Sequence, residues 1–189
     1  MTEPIRLVIF GRQGAGKGTQ CVRLVEKYGI AHISTGDMLR SAVAAGTEMG
    51  LKAKAIMDAG DLVGDDIING IVRERLTEDD ASTAGFVLDG YPRTVGQAEA
   101  LVQILGQRKL HAVVDLDVPI EEVTIRMKAR GRDDDTEEGI ARRLALYEQE
   151  TRPVLNWFAE RDLLVTVDGF DEETVVTERL LSAIDERLG

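Results

Sequence analysis

The residues Gly11-Arg12-Gln13-Gly14-Ala15-Gly16-Lys17-Gly18-Thr19 follow a short apolar run and open a helical stretch. A glycine-rich turn in that setting can close its backbone N–H groups around phosphate oxygens, with the positive end of the helix macrodipole behind them. Gly14, Ala15, Gly16 and Gly18 supply the amides, Lys17 reaches toward β- and γ-phosphates, and the Thr19 hydroxyl is placed for a magnesium ion. The general pattern puts Ser or Thr directly after the lysine, and here Gly18 intervenes. The competing reading is a glycine-rich turn carrying an exposed lysine.

A second segment, Phe86-Val87-Leu88-Asp89-Gly90-Tyr91-Pro92-Arg93-Thr94, ends an apolar run in a carboxylate. From a strand tip Asp89 can hold the water shell of magnesium beside the phosphate loop. Gly90 permits close backbone approach, and Pro92 stiffens the turn from which Arg93 projects. Gln97, one helical turn later, can set its amide against an adenine edge. In Ser34-Thr35-Gly36-Asp37-Met38-Leu39-Arg40, the arginine sits one turn into a helix, where its fork can clamp a second phosphate. Taken alone, that segment could equally be a capped helix with a solvated arginine. Arg126, Arg130, Arg132, Arg142 and Arg143 crowd a third stretch, and Arg126 and Arg130 share a helix face. Clustered positive charge is what a transferring phosphoryl group requires. The Asp133–Asp135 run either orients these arginines or neutralises a solvated loop.

These residues need elements that aim them at one place. Ile5–Phe10, Ala31–Ser34, Gly85–Asp89, His111–Asp117 and Leu163–Val167 read as strands. Helices are predicted over Lys17–Tyr28, Gly36–Ala45, Glu48–Ala59, Asp65–Leu76 and Thr94–Leu105, from Pro119 to about Arg130, as one long helix reaching Glu160, and over Asp171–Leu188. Alternating strands and helices imply an α/β fold, a five-stranded parallel sheet covered on both faces. The three helices between the second and third strands form a long crossover of the kind that carries a mobile functional excursion. His32 and His111 begin strands without metal-ligand neighbours in sequence, and packing is the reading for both.

The 189 residues fit one domain, with 43% hydrophobic and 30% charged residues. No apolar run reaches membrane-spanning length and residues 1–12 do not resemble a signal peptide, so a cytoplasmic protein is expected. The net charge of −11 disfavours nucleic-acid and membrane partners, while screening leaves a local basic cleft free to bind nucleotides. With Cys21 the only cysteine, neither a disulfide within the chain nor a cysteine-cluster zinc site is available; Cys21 is expected to pack as an apolar side chain.

Together, GKGTQ at residues 16–20, STGDMLR at 34–40 and FVLDGYPRT at 86–94 resemble the adenylate kinase family of nucleoside monophosphate kinases, with Tyr91 where phenylalanine is usual. The resemblance runs from about Leu7 to Gly169. It implies a three-layer P-loop NTPase fold and reversible phosphoryl transfer from Mg-ATP to AMP giving two ADP, hence a role in adenine nucleotide homeostasis. By the same resemblance, Thr35, Arg40, Asp61, Leu62, Val63, Gly90, Tyr91, Pro92, Arg93 and Gln97 bind AMP. Arg126, Arg130 and the Gly169 backbone contact ATP, and Arg132 and Arg143 serve both sets of phosphates. Thr35 favours AMP over the CMP and UMP of related kinases, which commonly carry alanine there. The resemblance implies an AMP-binding excursion over about 34–63, a short lid over about 129–135, no zinc-bearing lid insertion, and a monomer. Arg12 and Gln13 stand where the family often has proline, and Arg12 either adds a phosphate contact or stays in solvent. Rival readings are a UMP/CMP kinase, a GTPase-like switch on Asp61-Leu62-Val63-Gly64, and a catalytically dead nucleotide-binding regulator.

Overall fold

The apolar runs become five strands: β1 (Ile5–Phe10), β2 (Ala31–Ser34), β3 (Gly85–Asp89), β4 (Ala112–Asp117) and β5 (Leu164–Asp168). The structure is a computed structural model, described for residues 3–46, 48–59, 61, 63–133 and 135–189, excepting the side chains of 48, 49 and 52. Leu62 and Asp134 lie outside the described residues. Among the described residues the strands form one parallel sheet in the order β2-β3-β1-β4-β5.

Register decides where the loops emerge. Asp89 pairs with Ile9 on one side and Ser34 on the other, so the loops after β1, β2 and β3 leave the same edge side by side. The chain then passes from β1 toward β2, but from β3 toward β4. Connections diverging between neighbouring strands open a crevice at the carboxyl edge of the sheet, the place where parallel α/β folds bind ligands.

Alternation along β1 splits the core. Leu7 and Ile9 pack with Cys21 and Leu24 of α1 (Lys17–Tyr28), Val123 and Met127 of α7 (Ile120–Arg130), and Leu180 and Ile184 of α10 (Glu173–Leu188). Val8 and Phe10 face the opposite layer. There Val72 of α4 (Asp65–Arg75), Leu101 of α6 (Val95–Leu105) and Phe158 of α9 (Arg152–Ala159) are buried. Cys21 is fully buried, as expected, and burial pushes its thiol well above the ordinary cysteine value. No helix among the described residues is long and apolar enough to cross a membrane.

The crossover between β2 and β3 contains α2 (Thr35–Ala44), α3 (Glu48–Asp58), α4 and a further short helix, α5 (Asp79–Ala84), that its sequence did not announce. Asp79–Ala84 has no apolar period and buries only Ala81; Arg75 holds it by donating to both Asp80 oxygens at 2.7 Å. The long helix expected to reach Glu160 is instead divided. After α8 (Glu137–Leu146) comes a π-helical turn at Tyr147–Thr151, and α9 follows. Pro153 has no N–H to donate one turn back, and the wider turn absorbs the break in the ladder. Several helix starts also shift. The Ser34 hydroxyl accepts from Asp37 N–H, so α2 begins at Thr35, and Thr94 caps α6 by accepting from Gln97 N–H at 3.2 Å. His111 lies just ahead of β4, exchanging bonds with the Arg6 backbone at 3.1 and 2.9 Å, a packing role as expected.

Candidate active site

Gly16 precedes α1 in a left-handed conformation (φ 96°), and no side chain caps the helix, leaving its first amides directed at the cleft. Gly14, at φ 83°, passes so close to α7 that a Cβ would lie 2.8 Å from the Val123 carbonyl. Lys17 folds back into the loop, donating to the carbonyls of Gly11 at 2.9 Å and Arg12 at 3.2 Å. Burial lowers the Lys17 ammonium below the ordinary lysine value, against the pull of Asp89.

Arg12 follows neither alternative offered by its sequence. It is 8% exposed and points away from the loop's concave side, donating to Asp117 at 3.2 Å, the Val118 carbonyl at 3.1 Å and Glu148 at 2.7 Å. Its guanidinium also lies 5.5 Å from the Tyr147 ring centroid.

Asp89 closes β3 beside the phosphate loop. Burial alone would raise its carboxyl, but the adjoining His32 imidazole with the charges of Lys17 and Arg93 outweighs burial and holds it below the usual carboxylate range. His32 Nε2 stands 3.6 Å from Asp89 Oδ2, an ion-pair separation too long for a hydrogen bond. That buried nitrogen has no hydrogen-bond partner among the described residues. His32 thus does more than begin a strand: it stands with Cys21 behind the carboxylate, their ligand-type atoms within 4.8 Å of one another.

On the second side, Thr35 (3% exposed) commits its hydroxyl proton to the Gly90 carbonyl at 3.0 Å and keeps only acceptor capacity. Gly90 is in the left-handed region (φ 82°), where a Cβ would sit 2.9 Å from the Thr35 Oγ1 and 3.2 Å from an Arg93 nitrogen. Arg93 donates to the Gly90 carbonyl at 2.9 Å across the cis Tyr91–Pro92 bond. Burial pulls Arg93 below the usual arginine value, with Asp89 opposing. Arg40 folds along Gly36 and bonds Asp37. Asp61, Val63, Arg40, Gln97 and Arg93 line one cleft, with Leu39 and Met57 forming an apolar wall that the sequence reading missed. Asp61 meets this cleft as the partner of Arg142 Nε.

Of the clustered arginines, Arg126 pairs with Glu122 one turn back at 2.6 Å. Arg130 makes a two-pronged bond to Asp135 at 2.9 and 2.8 Å, and Arg143 donates to the same carboxylate at 3.0 Å. The Arg132 backbone N–H adds a third ligand at 3.1 Å. Asp135 therefore orients two arginines, which answers the open reading for this one residue of the acidic run. No spacing rule marks it out from its neighbour Asp133. The Gly169 N–H is spent on the Asp117 carbonyl at 2.8 Å, so its backbone offers only a carbonyl to the cleft it shares with Arg126, Gly16 and Thr19.

These parts converge. Gly14, Lys17, Thr19 and Asp89 line the same cleft as Arg40, Arg93, Arg126, Arg130 and Arg132. Gln13, Gly90 and Arg93 continue into the cleft beside Gln97 and Arg143. Gln13 is a lining residue for which the sequence carried no signal beyond its place in the loop. A backbone-amide pocket and a guanidinium pocket sharing one floor define a P-loop phosphotransferase with two anion-binding sites.

The family model described as adenylate kinase matches residues 9–163. An adenylate kinase of Stenotrophomonas maltophilia (strain R551-3) is 50% identical over 186 residues, covering 95% of this chain and 99% of the relative. Another from Nocardia farcinica (strain IFM 10152) is 51% identical over 182 residues, with the same coverage. One from Nitrobacter hamburgensis is 47% identical over 197 residues, covering 98% of this chain and 94% of the relative. The chain belongs to the adenylate kinase family.

Proposed function

We propose that this protein transfers the terminal phosphoryl group of Mg-ATP directly to AMP, reversibly, and so balances the adenine nucleotides. The observation that carries this reading is the common floor: Lys17 and Thr19 of the amide pocket line one cleft with Arg40 and Arg93. Two polyanions bound there would place donor and acceptor phosphates next to each other, and such positioning supplies much of the acceleration.

In this reading Gly14–Thr19 cradles the ATP phosphates, and Arg126, Arg130 and Gly169 flank the nucleotide. Thr35, Arg40, Asp61, Val63, the Gly90–Arg93 turn and Gln97 take AMP. Arg132 and Arg143 share the transferring charge. The attacking AMP oxygen is already anionic, so no general base is required. Asp89 and Thr19 offer hard oxygen donors beside Lys17, with the carboxylate held ionised, a donor set that fits magnesium: Thr19 as a direct ligand and Asp89 through water. The ion would neutralise the triphosphate charge.

Residues 34–63 and 129–135 are proposed as the two closing segments over one domain of 1–189, acting as a cytoplasmic monomer without zinc. A coupled assay with ATP plus AMP tests the activity, with Lys17→Ala and Arg93→Ala each expected to lower kcat by at least about 10²-fold. A strong preference for CMP over AMP as acceptor would overturn the substrate assignment.

A further inference from the structure

Gln97 is 2% exposed, and both ends of its amide are held. Its Oε1 accepts from the Arg93 backbone N–H at 2.8 Å, and its Nε2 donates to Asp65 Oδ1 at 2.7 Å. The other Asp65 oxygen accepts from the Thr94 hydroxyl at 3.4 Å, and that hydroxyl in turn accepts from the Gln97 N–H. Asp65, in the first turn of α4, thus lies 32 positions away from the side chain it holds.

A carboxylate can only accept and a backbone N–H can only donate. Turning the amide over would set its NH2 group against the Arg93 N–H and its oxygen against the Asp65 carboxylate, two repulsive contacts in place of two bonds. Each end of the locked amide retains one free position, an acceptor on Oε1 and a donor on Nε2. Adenine offers the complement on its N6–H and N1. A 6-oxopurine presents the opposite pair, an O6 acceptor and an N1–H donor. Thr35, with its proton committed to Gly90, adds a further acceptor on the same cleft.

We propose that Asp65 is a positioning residue that locks the Gln97 amide in the orientation that accepts adenine and rejects 6-oxopurines. This rests on the reading of Gln97 as the base contact of the monophosphate nucleotide. Without Asp65 the amide is held at one end only, by the Arg93 N–H, so turning over to satisfy a 6-oxopurine costs one contact instead of two. An asparagine at position 65 can turn with it and leaves the same single contact opposed.

The test compares kcat/KM for AMP and for inosine 5′-monophosphate, with ATP saturating, in the wild type and in Asp65→Ala, Asp65→Asn, Asp66→Ala and Gln97→Ala. Asp65→Ala should lower the AMP-to-IMP ratio by at least about tenfold, because a site's rejection depends on its fixed polar groups. The change should appear in KM, with kcat for AMP within about threefold of wild type. Asp65→Asn should fall between the two. Asp66→Ala removes the other first-turn acid and should leave the ratio unchanged. An unchanged ratio in both Asp65 variants, with Gln97→Ala shifting it, overturns the lock while sparing the base contact. If Gln97→Ala moves neither the ratio nor KM for AMP, the base contact itself falls and the lock with it.

Discussion

Arg142 on α8 and Asp61 beyond α3, 81 positions apart, are joined by an ion pair that ties the arginine-bearing helix to the crossover between β2 and β3. The side chains are 56% and 34% exposed, so the pair is worth about 0.5 kcal/mol, roughly a twofold change in the closed population. Arg142→Ala and Asp61→Ala should raise KM for AMP by similar small factors, and the double variant no further. Asp61 is thus expected to serve the AMP cleft chiefly through this pair. A much larger rise in KM for Asp61→Ala than for Arg142→Ala, with no coupling in the cycle, would make direct contact with AMP its main role and refute the tie.

Asp135 carries the larger electrostatic stake, its side chain 1% exposed and its partner Arg143 7%. Burial would raise this carboxyl, but Arg130, the Arg132 N–H and Arg143 together hold it below the usual carboxylate range. A depressed folded-state value contributes stability that is present above the unfolded value of about 3.9 and lost as pH falls through the folded one. Asp135→Asn should cost about 2–3 kcal/mol at pH 7. It should also flatten the acid limb of a stability–pH curve below about pH 4. A parallel acid limb in variant and wild type would refute the assignment.

For Arg12 the expected loss is in stability, not in nucleotide binding. Its acceptors Asp117 and Glu148 remain 60% and 36% exposed and can rehydrate, which limits the cost of Arg12→Ala to about 2 kcal/mol. KM for ATP should stay within about twofold. A rise of tenfold or more in KM at unchanged stability would return Arg12 to the phosphate site.

Tyr91 marks the position where the family usually carries phenylalanine, and its hydroxyl lies 2.7 Å from Asn69 Oδ1 and 3.0 Å from the Gln97 carbonyl. Tyr91→Phe should lower stability by about 1 kcal/mol in denaturant melts and leave the AMP-to-IMP ratio intact. A shifted ratio would show that the hydroxyl also orients Gln97.

What the sequence disclosed follows from the range of the interactions. β1, β2 and β3 were legible to the residue because buried parallel strands are short apolar runs ended by glycine or a polar tip. Lys17, Asp89 and Arg93 were legible because each belongs to a contiguous motif. Arg12 was not, since its partners lie 105 and 136 positions away. Asp65 and Asp135 were hidden for a related reason: nothing local separates them from the acids beside them. α5 lacks an apolar period, and the division between α8 and α9 depends on how one proline is absorbed. Family resemblance supplied Thr35, which no pattern in this chain would single out, and separated Arg143 from Arg142 within the arginine cluster.

That absorbed proline also sets the heading of everything after it. An α-helix advances about 100° per residue, so a turn holding one extra residue rotates the following segment by about that angle. Tyr147 and Thr151, at the two ends of the wide turn, line the cleft, whereas Val154 and Leu155, one turn on, and Phe158, two turns on, sink into the core. Removing one residue from Tyr147–Thr151 would swing those apolar side chains toward water while every hydrophobic letter stayed in place. The wide turn acts as a phase offset between a ligand-facing segment and a core-facing one.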